Sequence, residues 1–467
     1  MAKVETDYLV IGAGAVGLAF ADTLLTETTA HITIVDRHGK PGGHWNDAYS
    51  FVALHQPSAF YGVNSLPLGS GRKDSIGVNT GMYELASGPE VSGYFDAVMR
   101  QKLLPSGRVA YFPMSDYRGD GKFVSILSGD ETTVAVRKKT VDATYYGTTV
   151  PSTHTPKFAV GDGVRLVTPN ILPNLWMEQG PRPSHFVIVG AGKTAMDVGV
   201  WLLASGALPA SITWVMPRDS WLINRARIQP GIEFFDATLG AQAAQMEAFA
   251  TATTVEDLFD KLEAIGLMVR IDPMVKPGMV HYATISIGEI EQLRRIEHVV
   301  RKGHVRSIER DALVFDRQRV PIKEGALYID CTASAVERRP AVPIFQGDLI
   351  IPQLVRAPQP AFSAALVAFV EAHYDDDAKK NELCATVPFP DGIELFPATN
   401  IVNMMNQVRW SQDAKLRDWI RTSRLDGFGK VIAAADPNDA AKMAIMTKIQ
   451  THGMAAVINL QKLAAMA

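Results

Sequence analysis

Residues 8–17 read Tyr8-Leu9-Val10-Ile11-Gly12-Ala13-Gly14-Ala15-Val16-Gly17, a short β-rich run that ends in a turn almost free of side chains. Leu18 to Leu25 then carries apolar residues at helical spacing, and Ile32-Thr33-Ile34-Val35 is a second buried-type strand that stops at Asp36. The four pieces make one βαβ unit, and continuous apolar strands of this kind belong to a parallel sheet covered on both faces. Such a turn aims unpaired backbone N–H groups and the positive end of a helix dipole at one point, where a pyrophosphate satisfies both. Gly12 permits the tight turn, Gly14 admits the phosphate to the backbone, and Gly17 lets helix and strand pack closely. Asp36 stands 24 residues after Gly12, near the spacing of about 20 at which an acid binds the ribose hydroxyls. Arg37 follows on the same cofactor edge.

The grammar returns 178 residues later, with strand Phe186–Val189, turn Gly190-Ala191-Gly192-Lys193-Thr194-Ala195, helix Met196–Ala204 and strand Ile212–Met216. That interval is far too long for a solenoid, so the repeat is a duplicated domain type. No acid stands at the end of the second strand; Pro217-Arg218-Asp219-Ser220-Trp221 follows it. An arginine there accepts a 2′-phosphate through paired N–H donors, which favours NADPH over NADH. The candidate nucleotide residues here are Gly190, Gly192, Lys193, Thr194 and Arg218. A Walker A reading of Gly192-Lys193-Thr194 fails, because Val187 occupies the position of its first glycine. Two dinucleotide sites in one chain imply hydride transfer from a nicotinamide to a flavin, with FAD at the amino-terminal turn.

Between the repeats, residues 105–142 alternate apolar and polar positions with glycine-rich turns, as in an antiparallel meander. Prolines 151, 156, 169, 173, 181 and 183 mark a linker. From about 236 to 300 the pattern is helical, Leu327–Asp330 is a returning strand, and the tail beyond Pro360 is mainly helical. The expected fold is therefore α/β: two Rossmann-like dinucleotide-binding domains, the second nested in the first, with a helical C-terminal region. The expected boundaries are 1–160 for the first part of the FAD domain and 180–325 for the NADPH domain, which holds a helical insertion at 223–300. Residues 326–467 form the return and the tail.

Composition narrows the partners. The net charge of -3 gives no global reason to expect nucleic acid or an anionic membrane. The two cysteines, Cys331 and Cys384, exclude a disulfide scaffold, a thiolate zinc site and a CxxC redox pair. No metal site is expected. The apolar stretch Tyr8–Leu25 contains three glycines and Asp22, so it is not read as a membrane span. A reduced, cytoplasmic chain is expected, and a homodimer is allowed.

After Asp36 comes Pro41-Gly42-Gly43-His44-Trp45, and then Leu54-His55-Gln56-Pro57. With Val141-Asp142-Ala143-Thr144, Ile329-Asp330-Cys331-Thr332-Ala333 and the Val215-x-x-Arg218-x-x-Trp221 pattern, the chain resembles the flavin-containing (class B) monooxygenases and their Baeyer–Villiger relatives. The resemblance covers roughly residues 5–60 and 140–340. It implies that Gly43, His44 and Trp45 lie along FAD, that Thr144 and Thr332 sit on the two returning strands near the cofactors, and that Gln56 orients the C4a-(hydro)peroxide. The family's FxGxxxHxxxW stretch has no match between 145 and 185: Tyr145-Tyr146-Gly147 is followed by Pro151, and His154 falls at another spacing.

The implied activity is an FAD-dependent, NADPH-using monooxygenase that transfers one oxygen from O2 to a small organic substrate, at nitrogen or sulfur or beside a ketone. The alternative keeps both cofactors in a dehydrogenase or reductase without oxygen transfer. Disulfide reductases share the plan but need a cysteine pair on the flavin, and none follows Trp45.

Overall fold

Ala2–Ile11 is the central strand of an eight-stranded sheet, flanked in parallel by Ile32–Val35 and Glu131–Asp142. Leu9 and Val10 are fully buried, each stabilising the fold by about 1.5–3 kcal/mol relative to an exposed side chain. Val109–Phe112 extends the sheet beyond Ile32–Val35. The expected meander is the antiparallel set Ser115–Gly119, Lys122–Ser125 and Glu131–Asp142. The computed structural model describes residues 2–177, 182–334, 336–337 and 339–466. Pro181 of the expected linker lies outside them.

A second, five-stranded sheet is parallel throughout, in the order His298–Val300, Ile212–Val215, Phe186–Val189, Leu327–Asp330 and Arg165–Val167. Leu327–Asp330 is thus not the return to the first sheet that the 326 boundary implied. All four of its residues are buried, and it fills the slot beside Phe186–Val189 that Glu131–Asp142 fills beside Ala2–Ile11. The chain re-enters the first sheet at Phe345–Gln346 and Leu349–Ile350, the latter parallel to Glu131–Asp142. The second sheet therefore lies in sequence between strands of the first, and the nesting holds.

The insertion is mixed rather than helical. It contains the helices Ala241–Thr251, Val255–Ala264 and Ile287–Leu293 and a three-stranded sheet of Ser220–Asn224, Met268–Val269 and Met279–Ile285. The expected helix through Val300 stops at Leu293, and His298–Val300 is the edge strand of the second sheet.

Beyond Pro360 the chain is helical as expected. Pro360–His373 is buried from Ala361 to Glu371 and joins Ala15–Glu27 in one core. The 27-residue helix Ala440–Met466 packs on the insertion, sharing a core with Phe249, Phe259 and Phe396. Asn459 Nδ2 donates to the carbonyls of Phe249 and Ala252, satisfying the open end of Ala241–Thr251. No helix among the described residues is long and apolar enough to cross a membrane.

Candidate cofactor sites

At the first turn, Gly12 has φ +98° and its N–H donates to Val35 O at 2.8 Å. A Cβ on Gly17 would stand 2.0 Å from Gly12 O, so only glycine allows the helix to start this close to the strand. The helix begins at Gly14 with no side-chain cap and no acid in its first turn, leaving its positive end to an external anion. Gly42 N–H donates to Ala13 O at 2.8 Å, and a Cβ on Gly43 would sit 2.9 Å from Gly14 Cα. The Gly42-Gly43-His44-Trp45 segment therefore lies directly against the turn.

Asp36 is 6% exposed and already engaged. Its Oδ2 accepts from Ala13 N at 2.5 Å, and its Oδ1 accepts from His38 N at 2.7 Å. His38 bridges two acids, with Nδ1 2.9 Å from Asp36 Oδ1 and Nε2 2.8 Å from Asp47 Oδ2. The hydrogen bond to Asp36 raises the His38 pKa against the opposing effect of burial. Trp45 Nε1 donates to the Tyr61 hydroxyl at 2.8 Å, and the His44 ring stacks on Trp45 at 5.3 Å. Burial holds His44 down at about 4, so it is neutral at pH 7. Gln56 is half-buried and makes no side-chain hydrogen bond to a described residue; Arg37 is exposed.

The second turn repeats the first. Gly190 has φ +129°, and its N–H donates to Val215 O at 3.1 Å; a Cβ there would stand 2.5 Å from Cys331 O. Lys193–Ala204 begins at Gly192, again without a side-chain cap or an early acid, and a Cβ on Gly192 would meet nothing within 4 Å. The returning strands end alike. Asp142 Oδ1 accepts from Thr144 N at 2.9 Å and Thr144 Oγ1 at 2.6 Å; Asp330 Oδ1 accepts from Thr332 N and Oγ1 at the same two distances. Both threonines thus turn their hydroxyls back on the chain. His154 reaches this second turn through space, its Nε2 3.0 Å from Thr332 Oγ1.

Arg218 is exposed, without a described partner, on a cleft of about 420 Å³ that Asp219 and Glu394 also line. Asp219 is neutralised by Arg301 at 2.9 Å. Lys193 is placed differently from expectation. Its ammonium is paired with Asp197 and lies 3.0 Å from Glu289 Oε1, so it is spent on protein carboxylates rather than held for a phosphate. Thr194 instead reaches the Tyr49 hydroxyl.

These contacts belong to a buried ionic network between the two units. Tyr49 O–H donates to Asp197 Oδ2 at 2.8 Å, and Arg225 Nη2 lies 2.7 Å from Glu289 Oε2. Arg225 also donates to His55 O at 2.8 Å and Asn79 Oδ1 at 3.1 Å. Glu289 is fixed by a capping box with Ser286. Burial would raise the Glu289 pKa, but the charges of Lys193 and Arg225 hold it down at about 2. Desolvation and the same two cations push His55 down to about 3. Asp197 and Glu289 carried no sequence signal beyond the i, i+4 spacing of Lys193 and Asp197. The recurrent Asp-x-Thr at 142 and 330 was readable in the sequence as a pair of like strand ends, and the matching Asp–Thr hydrogen bonds are what it encodes.

Residues 10–66 match the NAD(P)-binding Rossmann-like domain family. Uncharacterized proteins of Mycobacterium tuberculosis and Mycobacterium bovis are each 51% identical over 423 residues, which is 91% of this chain and 78% of theirs. The chain belongs to their family. Among solved structures, an open form of cyclohexanone monooxygenase is 12% identical, with a TM-score of 0.50 over 88% of this chain and 98% of its own. The polycyclic ketone monooxygenase of Thermothelomyces thermophila is 14% identical, with a TM-score of 0.50 over 100% of this chain and 88% of its own. At these identities the likeness establishes the fold alone: two Rossmann-like α/β units arranged as in these two structures.

Proposed function

We propose that this chain is an FAD-dependent, NADPH-using monooxygenase that transfers one oxygen from O2 to a small organic substrate, at nitrogen or sulfur or beside a ketone. One observation carries the two-cofactor reading: two glycine turns of matching geometry, each opening an uncapped helix. The residues fit the cofactors. The first turn, with Gly42 and Gly43 pressed against it, would hold the FAD pyrophosphate, with Asp36 sharing its carboxylate between the ribose and the turn. The open space at Gly192 would hold the second pyrophosphate, and Arg218 the 2′-phosphate. Bound FAD would supply hydride acceptance from NADPH and the reaction with O2. Gln56, whose amide makes no side-chain hydrogen bond to a described residue, would orient the reacting oxygen.

Purified protein should be yellow and should bleach with NADPH without air. In air, ¹⁸O2 should label the product. Bleaching without labelling would select the second reading, a dehydrogenase or reductase on the same cofactors, which the absent FxGxxxHxxxW stretch favours. Colourless protein that takes up no added FAD would end both.

A further inference from the structure

Away from both glycine turns, a cavity of about 560 Å³ opens between the segment Ser58–Gly71, the insertion at Pro230–Ile232 and the helix Phe428–Ala433. Its volume lies within the range of about 300–1,000 Å³ usual for small-molecule sites. The walls are apolar, with Phe60, Leu68, Ile232 and Val431 among them. Gly427, at φ +69°, lets helix and wall meet: a Cβ there would stand 2.0 Å from Phe60 Cε1.

The charge on this apolar surface is unbalanced. Arg424 lines the cavity and gives four of its N–H groups to the carbonyls of Ala59, Tyr61 and Val63. The Tyr94 hydroxyl is a further hydrogen-bond partner, so neutral oxygens surround a guanidinium that keeps its charge. No described carboxylate forms an ion pair with Arg424, and Asp22, which acts on it from a distance, is held by Ser65. The side chain of Lys430, on the rim, forms no hydrogen bond or ion pair with a described residue. The one lining carboxylate, Glu84, is taken up by the N–H groups of Ser70 and Gly71 and the Ser70 hydroxyl.

We infer that this cavity is a binding site for an amphipathic organic anion, a monocarboxylate whose hydrocarbon body lies against Phe60, Leu68 and Val431 and whose head group meets Lys430 at the rim, in the positive field of Arg424. Two cations with no carboxylate paired to them, at one end of an apolar cavity, match in charge a carboxylate head on a hydrocarbon body. The site does not depend on the proposed redox chemistry.

The test is calorimetric titration of the full chain with decanoate and with decanol. Decanoate should bind more tightly than decanol. Lys430→Glu should weaken decanoate by about tenfold, through like-charge repulsion, and leave decanol unchanged. Ala434→Trp, at the exposed mouth, should weaken both. Circular dichroism checks that each variant is folded; should Ala434→Trp not fold, Lys430→Glu decides alone. Absence of decanoate binding at millimolar concentration, or equal decanoate affinity in Lys430→Glu, would overturn the inference.

Discussion

Lys193 Nζ and Glu289 Oε1 lie 3.0 Å apart, although 96 residues separate them in the chain. With Arg225 and Asp197 they close a buried network whose outer members, Tyr49 and His55, come from the first unit. Removing one partner from such a network strands a buried charge, at a cost of about 3–5 kcal/mol. Glu289→Gln should therefore lower the denaturant midpoint at pH 7. The Glu289 pKa is depressed on folding, from 4.5 to about 2. Its contribution is complete above the ordinary value and fades as pH falls towards 2. The gap between wild type and Glu289→Gln should thus narrow below about pH 4.5. Equal midpoints at neutral pH would refute the role given to this pair.

Local features were legible in the sequence and this network was not. Gly12, Gly14 and Gly17 declare themselves because one turn must satisfy a steric rule within six residues. Leu327–Asp330 was recognisable as a strand, but a short, mainly apolar run does not encode which of two sheets it will join. The contact between Tyr49 and Asp197 spans 148 residues, and no periodicity encodes a partner that distant. Lys193 shows the same limit: Glu289, which its ammonium meets, lies 96 residues away.

His38 predicts an opposite pH trend. Its pKa is raised on folding, by the hydrogen bond to Asp36 foremost and by Asp47 as well. The stability it contributes is complete below the free imidazole value of about 6.5 and is lost as pH rises through the folded value. Between about pH 6 and pH 9, the melting temperature of wild type should fall more steeply than that of His38→Gln. Parallel curves would remove His38 from the account of the Asp36 turn.

Two glycine substitutions should separate folding from binding. In Gly17→Ala the added Cβ meets Gly12 O at 2.0 Å, a clash with backbone that nothing nearby can relieve. It should lower stability by several kcal/mol, roughly the upper range for core overpacking. Gly192→Val places its side chain in open space, so the melting temperature should hold within a few degrees. Anaerobic bleaching by NADPH should nevertheless require much higher concentrations. A Gly192→Val protein with unchanged NADPH dependence would move the second cofactor elsewhere.

Arg218 tests cofactor choice. It is exposed and carries no partner among the described residues, whereas the neighbouring Asp219 is matched by Arg301. Arg218→Glu should raise the KM for NADPH about tenfold or more, because a paired guanidinium–phosphate contact becomes a repulsion. The KM for NADH should change little. Equal effects on the two cofactors would mean that Arg218 does not read the 2′-phosphate.

Gln56 bears on oxygen transfer itself. Its amide makes no side-chain hydrogen bond to a described residue, so Gln56→Ala removes no structural contact and should leave the melting temperature close to wild type. If the amide orients the reacting oxygen, its loss should spare NADPH consumption while cutting the oxygenated product by about tenfold or more, the scale of removing one preorganised donor. The missing oxygen equivalents should appear as H2O2, measured alongside NADPH oxidation. Product yield per NADPH unchanged in Gln56→Ala would sever the Leu54–Pro57 turn from the chemistry, even with both cofactors in place.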